Sequence, residues 1–334
     1  MTSVIWRYKC HGEPMRELTE IELMTRAAWL YHVAGLNQEA VSRRLGLTRA
    51  RVNRLLAQAR DLGIVSISIN ERDLGLLKVE EAIRAAFGLQ TCVATPVLGL
   101  EPGEAAAETA LRMVGIAGAR FLRDRLQARP DTVVGTGWGR TLAQLGRQMT
   151  GVAAPGAKFI SLMGSLTANS AFNPFDVVQT LAQATGGEGY FLPVPFIVDS
   201  EADRDMLLAQ RAVSEPLSLA RRAELALISV GELTDASLLR RQGMIGAEEM
   251  AELRAAGAVG DTNGVFFDAE GRPVDHPLAR RCIAVGLDGL RATETVLLSG
   301  GRAKLEATRA LLRSGAIRGL VIDGDSAVAL AEGL

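Results

Sequence analysis

Within six residues, Arg49, Arg51, Asn53 and Arg54 bring together three guanidinium forks and one carboxamide. Both side-chain types read base edges: arginine donates two hydrogen bonds to guanine O6 and N7, and asparagine pairs with adenine N6 and N7. The same arginines can instead hold phosphates, and the sequence leaves that choice open. Arg43 and Arg44, a few residues earlier, suit backbone phosphates, as do the helix amides that follow Asn37. From 36 to 60 there are six arginines against one glutamate, a local charge of +5 inside a chain whose net charge is −1. The near-neutral total conceals a basic patch of the kind that binds nucleic acid.

A second group of residues points to anion binding. The stretch 132–142 runs from a buried strand through Gly137-Trp138-Gly139 into a helix headed by Arg140 and Thr141. Backbone N–H groups converge in such a turn, and the arginine and threonine add a charge and a hydroxyl. It is not a dinucleotide fingerprint, because Arg140 stands where the third glycine of G-x-G-x-x-G belongs. A turn of similar type, Gly300-Gly301-Arg302-Ala303-Lys304, follows another apolar run. Lys304 there can offer a point charge to a phosphate. Two basic strand-to-helix turns in one sheet predict a shared site at the carboxyl ends of the strands, with Gly301 and Lys304 contributed by the second.

Catalysis finds little support. A proton-transfer enzyme needs a placed carboxylate or histidine, and Asp261 is the single tempting group. His11, His32 and His276 are scattered, with no Ser-His-Asp or metal-ligand spacing. Cys10, Cys92 and Cys282 are distant from one another and odd in number, so neither a disulfide framework nor a metal clip is expected. No cofactor and no metal are expected.

These residues require elements to carry them. Apolar residues at helical spacing predict a helix over 20–34, closed by Gly35. Asn37 caps a short second helix that ends at Gly46, and Thr48 caps a third in which Val52, Leu55, Leu56 and Ala59 form one face. Thr48, Arg49, Arg51, Asn53 and Arg54 then stand at the head of a recognition helix. The alternation over 64–69 predicts a strand, completing a winged helix-turn-helix. Residues 1–17 are read as an arm, 18–70 as the DNA-binding head, 71–88 as a connector helix over 74–87, and 89–334 as a larger sensing domain.

In that larger part, strands are predicted at 91–96, 132–136, 159–163, 189–192, 225–230, 283–285, 295–299 and 319–322. Helices are predicted between them at 104–127, 141–149, 175–184, 204–212, 248–255, 304–314 and 326–332. The alternation implies an α/β fold with a mostly parallel sheet covered by helices. With 48% hydrophobic and 22% charged residues among 334, a small domain and a larger one can each bury a core. No apolar run approaches the roughly 18 residues of a membrane span. The first residues lack a secretory leader's pattern, so a cytoplasmic protein without membrane contacts is expected.

The segment 40–56, with Gly46-Leu47-Thr48-Arg49-Ala50-Arg51-Val52-Asn53-Arg54 and then Gly63-Ile64-Val65, resembles the DNA-binding region of SorC-family regulators, often grouped with DeoR-type repressors. The family usually carries serine where Asn53 stands. The resemblance continues through Gly137-Trp138-Gly139-Arg140-Thr141, Leu162-Met163-Gly164-Ser165, Leu192-Pro193-Val194-Pro195, Gly257-Ala258-Val259-Gly260-Asp261 and Gly300-Gly301-Arg302-Ala303-Lys304, in the family's order. It implies a sensing domain akin to sugar-phosphate isomerases and deaminases. It also implies a sugar, polyol or sugar phosphate as effector, operator DNA as partner, and a homodimer or homotetramer built through this domain. Carried over residue by residue, 137–141, Gly164, Ser165, Asp261 and Lys304 would line the pocket. Some relatives have a lysine just before the Gly164 position that forms a Schiff base with an aldehyde; here that residue is Met163, which implies noncovalent binding.

The expected function is a transcriptional repressor of a carbohydrate or polyol catabolic operon. The competing readings are a sugar-phosphate isomerase or hydrolase with a DNA-binding head, and an architectural DNA-binding protein without a ligand.

Overall fold

The computed structural model describes residues 7–8, 16–65, 76–165 and 174–334. Contacts divide the chain into two compact units, Met1–Ser68 and Ile69–Leu334.

In the smaller unit, strand β1 (Arg7–Tyr8) pairs antiparallel with β2 (Arg16–Glu17), giving the expected arm a short ladder. Helix α1 (Glu20–Ala28) opens on a reciprocal cap between Thr19 and Glu22 and continues as a π-helical turn, Trp29–Val33. Helix α2 (Gln38–Leu45) is capped by Asn37, whose side-chain oxygen accepts from the Ala40 N–H, and stops at Gly46 with φ of 55°. Helix α3 (Arg49–Asp61) begins where the Thr48 hydroxyl accepts from the Arg51 N–H. Each cap satisfies a backbone donor that the helix itself leaves open. Leu23, Met24, Ala27, Val41, Leu45, Val52, Leu55, Leu56 and Ala59 close the core. Ile64 and Val65, the start of the expected wing strand, form a turn packed on this core. Residues 66–69 of that strand lie outside the described residues.

The larger unit includes α4 (Leu77–Phe87), whose Ile83 is fully buried in the main core. Strand β3 (Thr91–Ala94) and the long α5 (Glu104–Ala128) follow. Strand β4 (Val133–Thr136) feeds α6 (Arg140–Gln148), β5 (Lys158–Ser165) feeds α7 (Pro174–Thr185), and β6 (Glu188–Pro195) leads to α8 (Glu201–Ala209) and α9 (Arg211–Arg221). The single helix expected over 204–212 is thus two, broken at Gln210. Strand β7 (Leu225–Ser229) returns to the middle of the sheet.

Next comes an excursion with β8 (Gly231–Glu232), α10 (Leu238–Arg241), α11 (Ala247–Ala255), β9 (Gly260–Thr262), β10 (Val265–Phe267), α12 (Pro277–Arg280) and α13 (Leu287–Arg291). Strand β11 (Glu294–Ser299), α14 (Leu305–Arg313), β12 (Gly319–Ile322) and α15 (Gly324–Glu332) complete the unit.

Seven strands form one wholly parallel sheet, in the order β3-β12-β11-β7-β4-β5-β6. Both faces are buried, as a parallel sheet requires. Leu225 and Leu227 pack toward α5, α6 and α7, while Ala226 and Ile228 pack toward α9, α14 and α15. In the excursion, β8, β9 and β10 make a small antiparallel sheet. A third core, including Trp138, Met163, Phe196, Leu239 and Phe266, holds it against the sheet.

The segment 283–285, expected as a strand, joins neither sheet. Its Ala284 makes an isolated antiparallel bridge to Met163, and the preceding Cys282 makes another to Ile197. Its backbone satisfies groups left open where β5 and β6 diverge: Ile283 accepts from Gly164 and donates to Phe196, and Val285 donates to Leu162. An apolar segment threading across two strand ends has the same composition as a buried strand, so periodicity could not separate them.

Candidate functional site

Strands β4, β7 and β11 are neighbours at the centre of the sheet, and the chain leaves their carboxyl ends through three turns. Chain order reverses here, since β4 continues outward to β5 and β6 while β7 continues toward β11 and β12. Ligands of open α/β folds bind at such switch points. A narrow, partly open cleft lies there. Trp138, Gly139 and Arg140 come from the first turn, Ser229 to Glu232 from the second, and Lys304 from the third. The excursion adds Ser237, Leu238, Leu239, Asp261, Thr262 and Asn263.

Close approaches shape this cleft. Gly139 has φ of 107°, which frees α6 to start without a side-chain cap. The first α6 amides are therefore left without a side-chain acceptor at the edge of the cleft, where Arg140 lies. The Ser229 hydroxyl donates to the Trp138 carbonyl at 2.9 Å, tying the first turn to the second. The Thr262 hydroxyl donates to the Ser229 carbonyl at 2.9 Å, tying in β9. Gly231 is paired with Asp261, and a Cβ at Gly231 would lie 2.2 Å from Asp261 Oδ1. The carboxylate occupies the space of the missing side chain.

Charges converge with opposite signs. Asp261 is 6% exposed. Burial, then the neighbouring Glu232, pushes its carboxyl up to about 7, while Lys304 opposes the rise. The Lys304 ammonium lies below its usual value, chiefly through burial. Arg140 repels it, and Glu232 and Asp261 partly offset the effect. Two cations, two acids and an uncapped helix start suit a ligand bearing both an anionic group and hydroxyls.

Not every predicted residue lines the cleft. Gly137 is buried, its N–H donating to Leu227 as a continuation of the sheet. Thr141 is buried, and its hydroxyl has no hydrogen-bond partner among the described residues. Gly164 packs against β6, where a Cβ would lie 2.6 Å from the Pro195 carbonyl oxygen, so its role in the structure is close packing. Ser165 pairs with Pro195 on the same ladder. Gly301 borders a separate apolar hollow with Leu98, Leu100 and Met113. Its N–H, expected to cradle an anion, donates to the Asp323 carboxylate at 2.7 Å. Of the second glycine turn, Lys304 alone reaches the cleft.

Sequence reading missed Ser229, Gly231, Glu232, Ser237, Thr262 and Asn263. The signal was present for the first three, since Val230-Gly231-Glu232 directly follows a buried strand. The other residues were unreachable without knowing that the excursion folds back.

In the smaller unit, Arg43, Arg44, Thr48, Arg49, Arg51, Asn53 and Arg54 are all exposed. The Thr48 hydroxyl is occupied as the α3 cap. Gln38 of α2 accepts a hydrogen bond from Arg49 Nε at 3.4 Å, which limits the arginine's freedom at the head of α3.

The remaining chemical candidates are structural. His276 is buried, its Nδ1 accepts from the Leu278 N–H to cap α12, and its Nε2 lies 3.3 Å from Glu252. Cys92 and Cys282 are free and buried, and burial lifts both thiols to about 12. Cys10 and His11 lie outside the described residues. No helix among the described residues is long and apolar enough to cross a membrane.

Comparison with known proteins agrees with this architecture. Residues 72–332 match the sugar-binding domain family Sugar-bind. The chain belongs to that family. A relative 37% identical over 308 residues, spanning 92% of this chain and 96% of its own length, is the erythritol catabolism regulatory protein EryD of Brucella abortus. The transcriptional regulator LsrR of Klebsiella pneumoniae is 29% identical, spanning 94% of each chain. The full-length sorbitol operon regulator SorC of Klebsiella pneumoniae has the same fold, with a TM-score of 0.68 at 23% identity over 93% of this chain and 99% of its own. Both curated relatives are named as regulators, and this chain is a transcriptional regulator with a sugar-binding domain.

Proposed function

We propose that the protein represses a carbohydrate or polyol catabolic operon and is released by a phosphorylated polyol or sugar held noncovalently in the central cleft. The supporting observation is the meeting of Arg140, Lys304 and the uncapped α6 N-terminus with Asp261 and Glu232 in one cleft. The cationic side holds the phosphate; the acids accept hydrogen bonds from ligand hydroxyls. Met163, in the position where an imine-forming lysine would stand, is fully buried among apolar residues. The name of the Brucella relative points to erythritol as the first polyol to test.

On the DNA side, Arg49, Arg51, Asn53 and Arg54 face base edges or flanking phosphates, and Arg43 and Arg44 hold the backbone. A homodimer or homotetramer in the cytoplasm presents two heads to half-sites about 34 Å apart, or a multiple of it. The effector acts by binding the DNA-competent and DNA-incompetent states unequally, since equal affinity would shift nothing.

A gel-shift experiment on the DNA upstream of the protein's own gene tests this, with polyols and polyol phosphates of three to six carbons added in turn. The expected result is a retarded complex released by a phosphorylated compound that is recovered unchanged. Turnover of that compound, or indifference to every one, would overturn the reading.

A further inference from the structure

Asn263 lines the cleft and is 5% exposed, yet its Nδ2 has no hydrogen-bond partner among the described residues. A buried donor without an acceptor is uncommon and costly. The neighbouring groups are already committed: the Thr262 hydroxyl donates to Ser229, and Asp261 is pressed against Gly231. Asn263 Oδ1 faces Gly137, where a Cβ would come within 3.2 Å. The carboxamide is therefore seated over the first glycine of the anion-facing turn.

The backbone alone does not account for this placement. Asn263 has φ of 48° and Gly264 has φ of 75°, forming the Asn-Gly turn that joins β9 to β10. Aspartate or glycine would serve that turn as well. Asparagine is the member of this set that carries a side-chain N–H donor. Hydroxyl groups both donate and accept, and the cleft already has acceptors in Asp261 and Glu232. A neutral donor beside them completes the set that a polyhydroxylated ligand needs.

Resting on the reading of the cleft as an effector site, we propose that Asn263 Nδ2 donates to a hydroxyl oxygen of the bound polyol. Asn263 is thus a specificity residue that selects ligands bearing this hydroxyl over their deoxy counterparts. A deoxy ligand that fills the cleft leaves this buried donor unpaired, and sites built on such a bond discriminate strongly.

The test uses the full chain, isothermal titration, and the terminal monophosphate of erythritol with its monodeoxy analogues. The wild type is expected to prefer the parent over one analogue by tenfold or more. Asn263→Gly is expected to lose about tenfold in affinity for the parent and to bind parent and analogue alike. Asn263→Asp, which keeps the turn and replaces the donor by an acceptor, is expected to lose the same preference. Unliganded variants should unfold in one transition near the wild-type Tm. A wild type without preference for any hydroxyl, or variants keeping the wild-type ratio, would overturn the assignment of Asn263 and leave the effector cleft standing. A wild type that binds no polyol phosphate would overturn the effector reading itself, and the role of Asn263 with it.

Discussion

Asp261 is the residue at which cost and purpose meet. Its carboxyl, normally near 3.8, is lifted to about 7 by burial and by Glu232, so the folded protein holds a proton there that the unfolded chain has released. A raised carboxylate favours folding at low pH, and its contribution is complete below the unfolded value and lost as pH rises through the folded one. Stability of the unliganded protein should therefore fall between about pH 4 and pH 7 from this group. Asp261→Asn should flatten that part of the profile in thermal unfolding. The cations make a separate prediction. Arg140→Ala and Lys304→Met should each weaken binding of a polyol phosphate by about tenfold or more, while operator binding survives in gel shifts. Loss of both activities in either variant would mean that the side chain serves the fold and not the ligand.

Elements set where these side chains stand. In the head, Thr48 accepts from the Arg51 N–H and fixes the first turn of α3, which carries the base-reading candidates. Thr48→Ala should cost about 1 kcal/mol of head stability and weaken operator binding, with effector affinity at the wild-type level. In the sensing unit, two glycines do different work. A Cβ at Gly231 meets the Asp261 carboxylate, and one at Gly164 meets the backbone of β6. Gly231→Ala should displace Asp261 and abolish the effector response with a modest change in Tm. Gly164→Ala should lower stability by about 1–3 kcal/mol through strain between strands, seen as a lower Tm. Calorimetry paired with ligand titration separates the two outcomes.

At the scale of the whole molecule, charge is partitioned. The chain is nearly neutral, yet 36–60 carries +5. Counterion release makes DNA affinity fall with salt in proportion to the phosphates neutralised. Arg43→Ala and Arg44→Ala should each lower the slope of log K against log salt by about one, on specific and nonspecific DNA alike. A substitution at Arg51 or Asn53 that changes sequence preference at unchanged slope would mark a base contact.

The sequence by itself determined what local forces decide. Caps act within three or four residues, and Thr19, Asn37 and Thr48 stand where helices begin. Apolar runs that leave no polar face predicted a sheet buried on both sides, and the order of motifs marked the family. The strand-turn-helix at Gly137–Gly139 was legible for the same reason. Tertiary structure alone decided which turns share a cleft, because that depends on the strand order β11-β7-β4, which no neighbouring residues encode. It also decided that Asp323, 22 residues beyond Gly301, takes the N–H that sequence reading assigned to an anion. Segment 283–285 became a thread across strand ends instead of a strand, because its hydrogen-bond partners lie on β5 and in Phe196 just beyond β6. Asn263 could be read as half of a turn; its buried, unpaired amide exists only once β9 folds back over Gly137.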